Sequence, residues 1–527
     1  MSKRTRHLFL AVALLTLAVY LVSARGLPTT FDERIMLDTT TSLVHGRPSI
    51  NTPLLKVKEF SSLGVERDDG KVAGIYGVGN SIAATPLYAV GRAVAQLAPR
   101  EQRPRVVTTM MMFTNALITA ATVFMLMMLC ALLGAKPRGA VLVGLSFGLG
   151  SYAYPHALTF FSEPGTALCV LAAAYFAIRA SRTGRRPDLL TSGAFAGAAL
   201  LFRISAALFL PVVGVWLLVA GLRGAGGRAR GIRRSVEFGG WFTLGALTPI
   251  AVLLASNAWR YGGALNFGYA LDSARRPYPI VRGVIGQWLS SGKSIFLYAP
   301  IAVIVVLGLR RSVKKLPLEM SLLGVIVVAN TLFFARFQFW SGDWAWGPRY
   351  LQIVLPCLAA MAAPLLDSRF FTRALVIASI LGFLFSALPA VSTRFTIEFY
   401  EAYRAMPPPT AKGPPNWDHS YYALLWHTLH WQPILYNLRS LPAALSHTLN
   451  HVTNRSGPTP VTNFPGNPRF EFWWLRQRDI GAWAVAFFAL LPIASAAAGV
   501  RLLNRHLESR AKPVPTAVAP AYDPPGA

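Results

Sequence analysis

The chain is an all-α, polytopic membrane protein on the evidence of its sequence, with about twelve spanning helices and two long loops on the outer face. Three observations say so. Its 527 residues are 54% hydrophobic and 14% charged, where a soluble protein carries about 25% charged residues. Apolar runs near the length that a helix needs to cross a bilayer, about 20 residues, recur along it. The basic residues behind the net charge of +29 stand in short clusters between those runs, where they orient helices. That placement excludes a nucleic-acid-binding reading and suits contact with anionic lipid headgroups.

The spans fall near 8–24, 106–134, 139–155, 164–180, 189–203, 205–222, 238–257, 294–309, 317–335, 350–366, 371–391 and 480–502. Lys3, Arg4 and Arg6 precede the first span and hold the N-terminus in the cytoplasm. Ser23-Ala24-Arg25 is a poor cleavage site, so this first span reads as a retained helix. The connections then predicted on the inner side are Lys136–Arg138, Arg179–Arg186, Arg223–Arg234, Arg310–Lys315, Asp367–Arg373 and the tail from Arg501. All are basic, which supports the count, because one missed helix inverts everything after it. Arg203 interrupts the apolar run of 189–222. Cys130, Cys169 and Cys357 lie inside apolar runs and imply no disulfide framework.

The outer face receives Arg25–Arg105, the turn Tyr154–Glu163, the stretch Trp259–Lys293, the turn Arg336–Tyr350 and a loop from Ser392 to Asp479. Residues 1–395 form one transmembrane module that includes the outer loop 25–105. An outer region follows at 396–479, then the last span at 480–503 and a Pro-rich cytoplasmic tail at 504–527. The protein is expected in the inner (plasma) membrane with both termini in the cytoplasm. A re-entrant or interfacial helix is expected at Asn80–Leu97.

Asp32 and Glu33 emerge on the outer face just past the first span. Carboxylates there can take a proton from an acceptor hydroxyl or hold a divalent cation. The plain alternative is a salt bridge to Arg34. Asp38 is a weaker candidate of the same kind. Lys71 to Asn80 is a glycine-rich stretch before an apolar helix, which suits an anion or simply turns a corner. Gly292-Lys293-Ser294 lacks the upstream glycine of a nucleotide-binding loop, since Gln287 stands there. ATP binding is therefore excluded, and Lys293 either meets a phosphate or snorkels. The turn Phe339–Tyr350 gathers Trp340, Trp344, Trp346, Asp343 and Arg349. A guanidinium there can hold phosphate oxygens bidentately, and the tryptophans suit a sugar face or an interfacial belt. Glu163 and Arg203 are charges at a costly depth, where charges line a cavity or find partners, and a structural Glu–Arg pair is the plain alternative. His427 and His430 share a helix face, without a carboxylate to complete a metal motif.

Taken in order, these segments resemble the GT-C membrane glycosyltransferases, closest to the protein O-mannosyltransferases and bacterial aminoarabinose transferases. The likeness rests on Phe31-Asp32-Glu33, Tyr76-Gly77-Val78-Gly79, Phe161-Ser162-Glu163-Pro164, Gly292 to Pro300 and Trp346-Gly347-Pro348-Arg349-Tyr350, over roughly residues 5–395. The family often has Tyr-Gly-Pro-Gly where this chain has Val78. The resemblance implies transfer of a sugar from a polyprenyl-phosphate carrier to an extracytoplasmic acceptor, a lipid, glycan or protein. It implies Asp32 as catalytic base, Glu33 as its support or a cation ligand, and Arg349 and Lys293 on the carrier phosphate. Tyr76, Glu163, Arg203, Asp343, Trp346 and Tyr350 complete the implied substrate site. No cofactor is implied apart from a divalent cation, which the carboxylates leave open. The arrangement expected is an aspartyl oxygen, a guanidinium and an ammonium around one crevice at the outer leaflet. A transporter or flippase of a lipid-linked or small polar substrate is the second reading, and a scaffold for envelope assembly the third.

Overall fold

The structure is a computed structural model that describes residues 2–52, 55, 63–223, 227–269, 278–337, 339–342, 345–392, 433–453, 472–475 and 480–511. Among these residues, eight helices are long and apolar enough to cross a membrane: Lys3–Ser23, Arg103–Leu132, Glu163–Thr183, Ile204–Arg223, Arg228–Tyr261, Pro317–Ala335, Arg369–Ala387 and Ala482–Leu507. Each coincides with an expected span. The other four expected spans are shorter pieces: Pro137–Gly148, Arg186–Phe202, Ile301–Lys315, and a broken segment made of Arg349–Ile353, Leu355–Ala360 and Ala363–Leu365. Of the roughly twelve spans expected, eight are thus matched by helices of spanning length among the described residues. Pro137 and Pro317 start helices where a missing N–H costs nothing, and the basic clusters cut the apolar runs short.

The first span, α1 (Lys3–Ser23), is capped by the Ser2 side chain, which accepts from the Thr5 N–H. Helix α2 (Phe31–Val44) follows at once and opens with a capping box. The Thr30 hydroxyl accepts from the Glu33 N–H, and Glu33 reaches back to the Thr30 N–H. A two-stranded antiparallel hairpin pairs β1 (Gly64–Glu66) with β2 (Val72–Gly74), Val65 opposite Ala73. Its last strand leads through Tyr76 into α3 (Gly79–Ala95), which falls where the interfacial helix was expected. Helices α4 (Arg103–Met112) and α5 (Thr114–Leu132) form one span bent at Phe113. Next come α6 (Pro137–Gly148), the short α7 (Ala153–Ala157), α8 (Glu163–Thr183) and α9 (Arg186–Phe202).

Helix α9 stops at Arg203, whose backbone is extended (φ −147°, ψ 128°). A 3-10 turn over Ile204–Leu208 then leads into α10 (Phe209–Arg223). Helix α11 (Arg228–Tyr261) returns against α9. Small residues set that closeness. A Cβ on Gly193 would lie 1.9 Å from the Phe242 carbonyl oxygen, and one on Gly197 2.6 Å from Pro249. Two glycines four apart let two backbones approach within a bilayer, where packing drives association. The last helix, Ala482–Ala511, lies on α1: Ser495 donates to the Leu14 carbonyl at 2.8 Å, and Gly499 has no room for a Cβ beside Ala11 and Leu15. One buried core runs through α5, α8, α9 and the segments that follow α11. A second joins α1, α2, α3 and α4. Cys130, Cys169 and Cys357 are buried, free thiols. His427 and His430 lie outside the described residues.

Candidate active site

Asp32 is the second residue of α2, and the capping box fixes its helix turn. Its Oδ1 accepts from the Tyr76 hydroxyl at 2.6 Å. Its Oδ2 accepts from Arg349 Nη1 at 2.9 Å. Arg349 donates through Nε to Glu163 Oε1 at 2.7 Å, and the same oxygen accepts from Arg203 Nη1 at 2.6 Å. Four charges thus alternate in sign from Asp32 through Arg349 and Glu163 to Arg203. Glu163 and Arg349 are buried, while the Asp32 side chain keeps 25% of its surface open. A buried charge needs partners because water no longer solvates it, and here each has one. The base candidate is the acidic end of the chain that meets solvent.

Aromatic rings wall this chain of charges. The Arg349 guanidinium lies 3.8 Å from the Phe161 ring centroid. Arg203 lies 5.2 Å from Tyr350, whose ring stacks on Phe334 at 4.2 Å. Cations over ring faces are stabilised most where water is excluded. Nε and Nη1 of Arg349 are engaged, so Nη2 is the edge without a hydrogen-bond partner among the described residues. Burial, and then the Asp32 charge, push the Tyr76 phenol well above its usual value. It therefore stays protonated and a donor to Asp32.

Glu33 does something else. Its Oε2 accepts from the N–H groups of Thr29 and Thr30 at 2.6 and 2.9 Å, and its Oε1 from the Phe160 N–H at 2.7 Å. It is fully buried and ties the start of α2 to the strand of chain before Glu163. Adjacent residues on a helix point about 100° apart, so the acid pair divides into one exposed and one structural carboxylate. The salt bridge to Arg34 considered for these acids forms with Asp38 instead, at 3.2 Å.

Lys293 is buried and its ammonium donates to the carbonyls of Ala345 and Gly347. The ammonium expected at the crevice thus lies on the backbone of the turn that delivers Arg349. That turn needs glycine, since Gly342 and Gly347 have φ of +74° and +67°. His156 supports it from the other side, with Nε2 2.9 Å from the Trp346 carbonyl oxygen. Burial lowers the His156 imidazole to about 4, so the neutral ring donates its Nε2 proton there. Trp346 meets the Tyr298 ring edge-on at 5.1 Å. Asp343 lies outside the described residues.

The glycine-rich stretch turns a corner. A Cβ on Gly77 would lie 2.4 Å from the Leu201 carbonyl oxygen, and one on Gly79 2.6 Å from the Phe202 ring. Its carbonyls are spoken for as well: Arg260 donates to those of Gly74 and Tyr76, and the Tyr261 hydroxyl to that of Gly74. Arg260 escaped the sequence reading, although an arginine at the outer end of a span was a signal against the positive-inside pattern. His156 left no such mark. Among the described residues, no group of three or more His, Cys, Asp or Glu side chains is placed to hold a metal ion.

No family model matches the chain, and no curated protein does. Solved structures show some likeness to the chain. ArnT from Cupriavidus metallidurans, bound to undecaprenyl phosphate, is 16% identical over 94% of this chain and 77% of its own, with a TM-score of 0.45. The same protein in its apo state gives 0.47 over the same shares. The archaeal oligosaccharyltransferase AglB from Archaeoglobus fulgidus, in complex with an inhibitory peptide and a dolichol-phosphate, is 12% identical over 91% of this chain and 63% of its own, with a TM-score of 0.39.

Proposed function

We propose that this protein transfers a sugar from a polyprenyl-phosphate carrier to an acceptor on the outer side of the membrane, in one inverting displacement with Asp32 as general base. The observation that carries the reading is Asp32 itself. It is the one partly open carboxylate of a buried charge chain, joined directly to a guanidinium that has an unused edge. A base and an anion site side by side are what the displacement requires.

The acceptor oxygen attacks the anomeric carbon while the bond from that carbon to the phosphate oxygen breaks. The electron pair leaves with the phosphate, and the acceptor proton passes to Asp32. Arg349 Nη2 meets the phosphate as its charge grows, a stabilisation worth most where water is excluded. Tyr76 holds the other carboxylate oxygen in place. Glu33, Lys293 and His156 are positioning residues on this reading, and Glu163 and Arg203 set the orientation of Arg349 and back the phosphate site. Tyr350 belongs to its aromatic wall, and Trp346 packs on Tyr298 behind the turn that carries Arg349.

The test is transfer by the purified full chain in liposomes, with a polyprenyl-phosphate sugar as donor and envelope lipids, glycans or proteins as acceptors. An inverted anomeric linkage in the product, absent with Asp32→Asn, is the expected result. A retained linkage, or undiminished transfer by Asp32→Asn, overturns the mechanism. The break at Arg203 is also a transporter trait. Movement of the intact carrier across the bilayer without transfer is the result that would favour that second reading.

A further inference from the structure

On the far side of α2 from Asp32 lies a cavity of about 370 Å³ between α2, α3 and α4. Its α2 lining is Arg34, Leu37, Asp38 and Thr41, spaced three and four apart along one stripe. At about 100° per residue that stripe faces away from Asp32, so the cavity is separate from the candidate active site.

Its lining is cationic and apolar together. Arg34, Arg92 and Arg103 stand against one carboxylate, Asp38. Arg34 pairs with Asp38 at 3.2 Å, and Arg103 donates to the carbonyls of Ala98 and Gln96. Arg92 is exposed and has no partner among the described residues. Helix α4 begins at the cavity without a side-chain cap, which turns a positive helix end toward it. Behind the charges the wall is apolar, made by Leu37, Val107 and Met111, all buried.

The neighbouring surface says what kind of anion belongs there. Ile82, Pro86, Val90, Ala93 and Leu97 form an exposed apolar stripe along α3 and just past its end. A helix of 17 residues with such a stripe beside Arg92 suits a position in the membrane plane at headgroup depth. Lipid phosphates are the concentrated anions at that depth, and an arginine near them is worth about 1 kcal/mol each.

We infer that this cavity seats the phosphate headgroup of an anionic membrane lipid, with Arg92 as the residue that reaches it and the α3 stripe against its chains. The site is independent of sugar transfer and stands or falls without it.

The test measures lipid binding to the delipidated full chain in detergent. Phosphatidylglycerol is compared with phosphatidylcholine and with inorganic phosphate. The expected result is phosphatidylglycerol bound at least roughly fivefold more tightly than phosphatidylcholine, with inorganic phosphate far weaker than either lipid. Arg92→Gln lowers the phosphatidylglycerol affinity roughly fivefold, the worth of one arginine at an anionic surface. The same substitution at Arg138, also exposed, leaves it unchanged. Asp32→Asn, which ends transfer on the proposed mechanism, leaves it unchanged too. Equal affinity for the two lipids overturns the inference, as does an equal loss from Arg92→Gln and Arg138→Gln, which is general attraction. Inorganic phosphate binding as tightly as phosphatidylglycerol replaces the lipid with a free anion and overturns it as well.

Discussion

Arg349 Nη1 donates to Asp32 Oδ2 at 2.9 Å, a contact between residues 317 apart in sequence. It joins the start of the first outer loop to a turn near the end of the transmembrane module, and on the proposed mechanism it makes one electrostatic unit of a base and an anion site.

Asp32→Asn isolates the base from the scaffold. The amide oxygen accepts from Arg349, and its NH2 turns to Tyr76, whose hydroxyl can accept as well as donate. The variant therefore folds and inserts with little change in thermal stability. Its transfer rate falls by about 10² to 10⁴, the usual worth of a positioned base. Initial rates at saturating donor, beside a melting curve in detergent, measure both.

Glu163→Gln does the reverse. It takes the shared carboxylate from two buried arginines and leaves Arg349 with Asp32 alone, and removing one partner of a buried pair costs about 3–5 kcal/mol. A clear fall in melting temperature is expected, and it is smaller in the double variant with Arg203→Met, because one stranded charge is removed with it. Additive losses in that cycle would mean that the two side chains do not depend on each other.

The fold was legible where hydropathy decides it. Eight spans and the break at Arg203 follow from apolar length and one interrupting charge, and so does the Glu163–Arg203 pair. The four shorter pieces were not, because a run of apolar residues carries no sign of how much of it the bilayer covers. At the site, Asp32, Arg349, Glu163 and Arg203 gather as one unit, while Glu33 and Lys293 make backbone contacts that the sequence reading did not foresee. Thr30 and Glu33 carry the capping-box spacing, a signal present in the sequence and overshadowed by the acid next door. Lys293 and His156 act through the carbonyls of a distant turn. No local pattern encodes such contacts, since they exist only once the chain has folded.

His156 makes stability fall in acid. Its imidazole titrates at about 4 in the fold, because burial opposes its charge, and near 6.5 in an unfolded chain. Between those values the unfolded state binds the proton and the folded state does not, so stability is full above about pH 6.5 and is lost as pH falls toward 4. The span of the window corresponds to about 3 kcal/mol. Melting curves from pH 7.5 to 4.5 should show the loss. His156→Gln, whose amide can donate to the Trp346 carbonyl, should flatten the profile across that window, and an unchanged slope would assign the acid sensitivity to another group.

Arg349→Lys separates charge from shape. A lysine keeps the positive charge but offers a single ammonium in place of the planar fork. Here the fork serves Glu163 through Nε and Asp32 through Nη1, with Nη2 left for a phosphate. An ammonium at that depth satisfies at most part of this set. Donor affinity is expected to fall by about tenfold, roughly one charge-assisted hydrogen bond, and the rate with bound donor falls too, because Asp32 loses its alignment. Titration of the polyprenyl-phosphate donor, read by binding and by initial rate, gives the two effects separately. A lysine variant with the native donor affinity would show that charge alone suffices at this position, and would remove the guanidinium's Nη2 contact from the mechanism while leaving Asp32 in place.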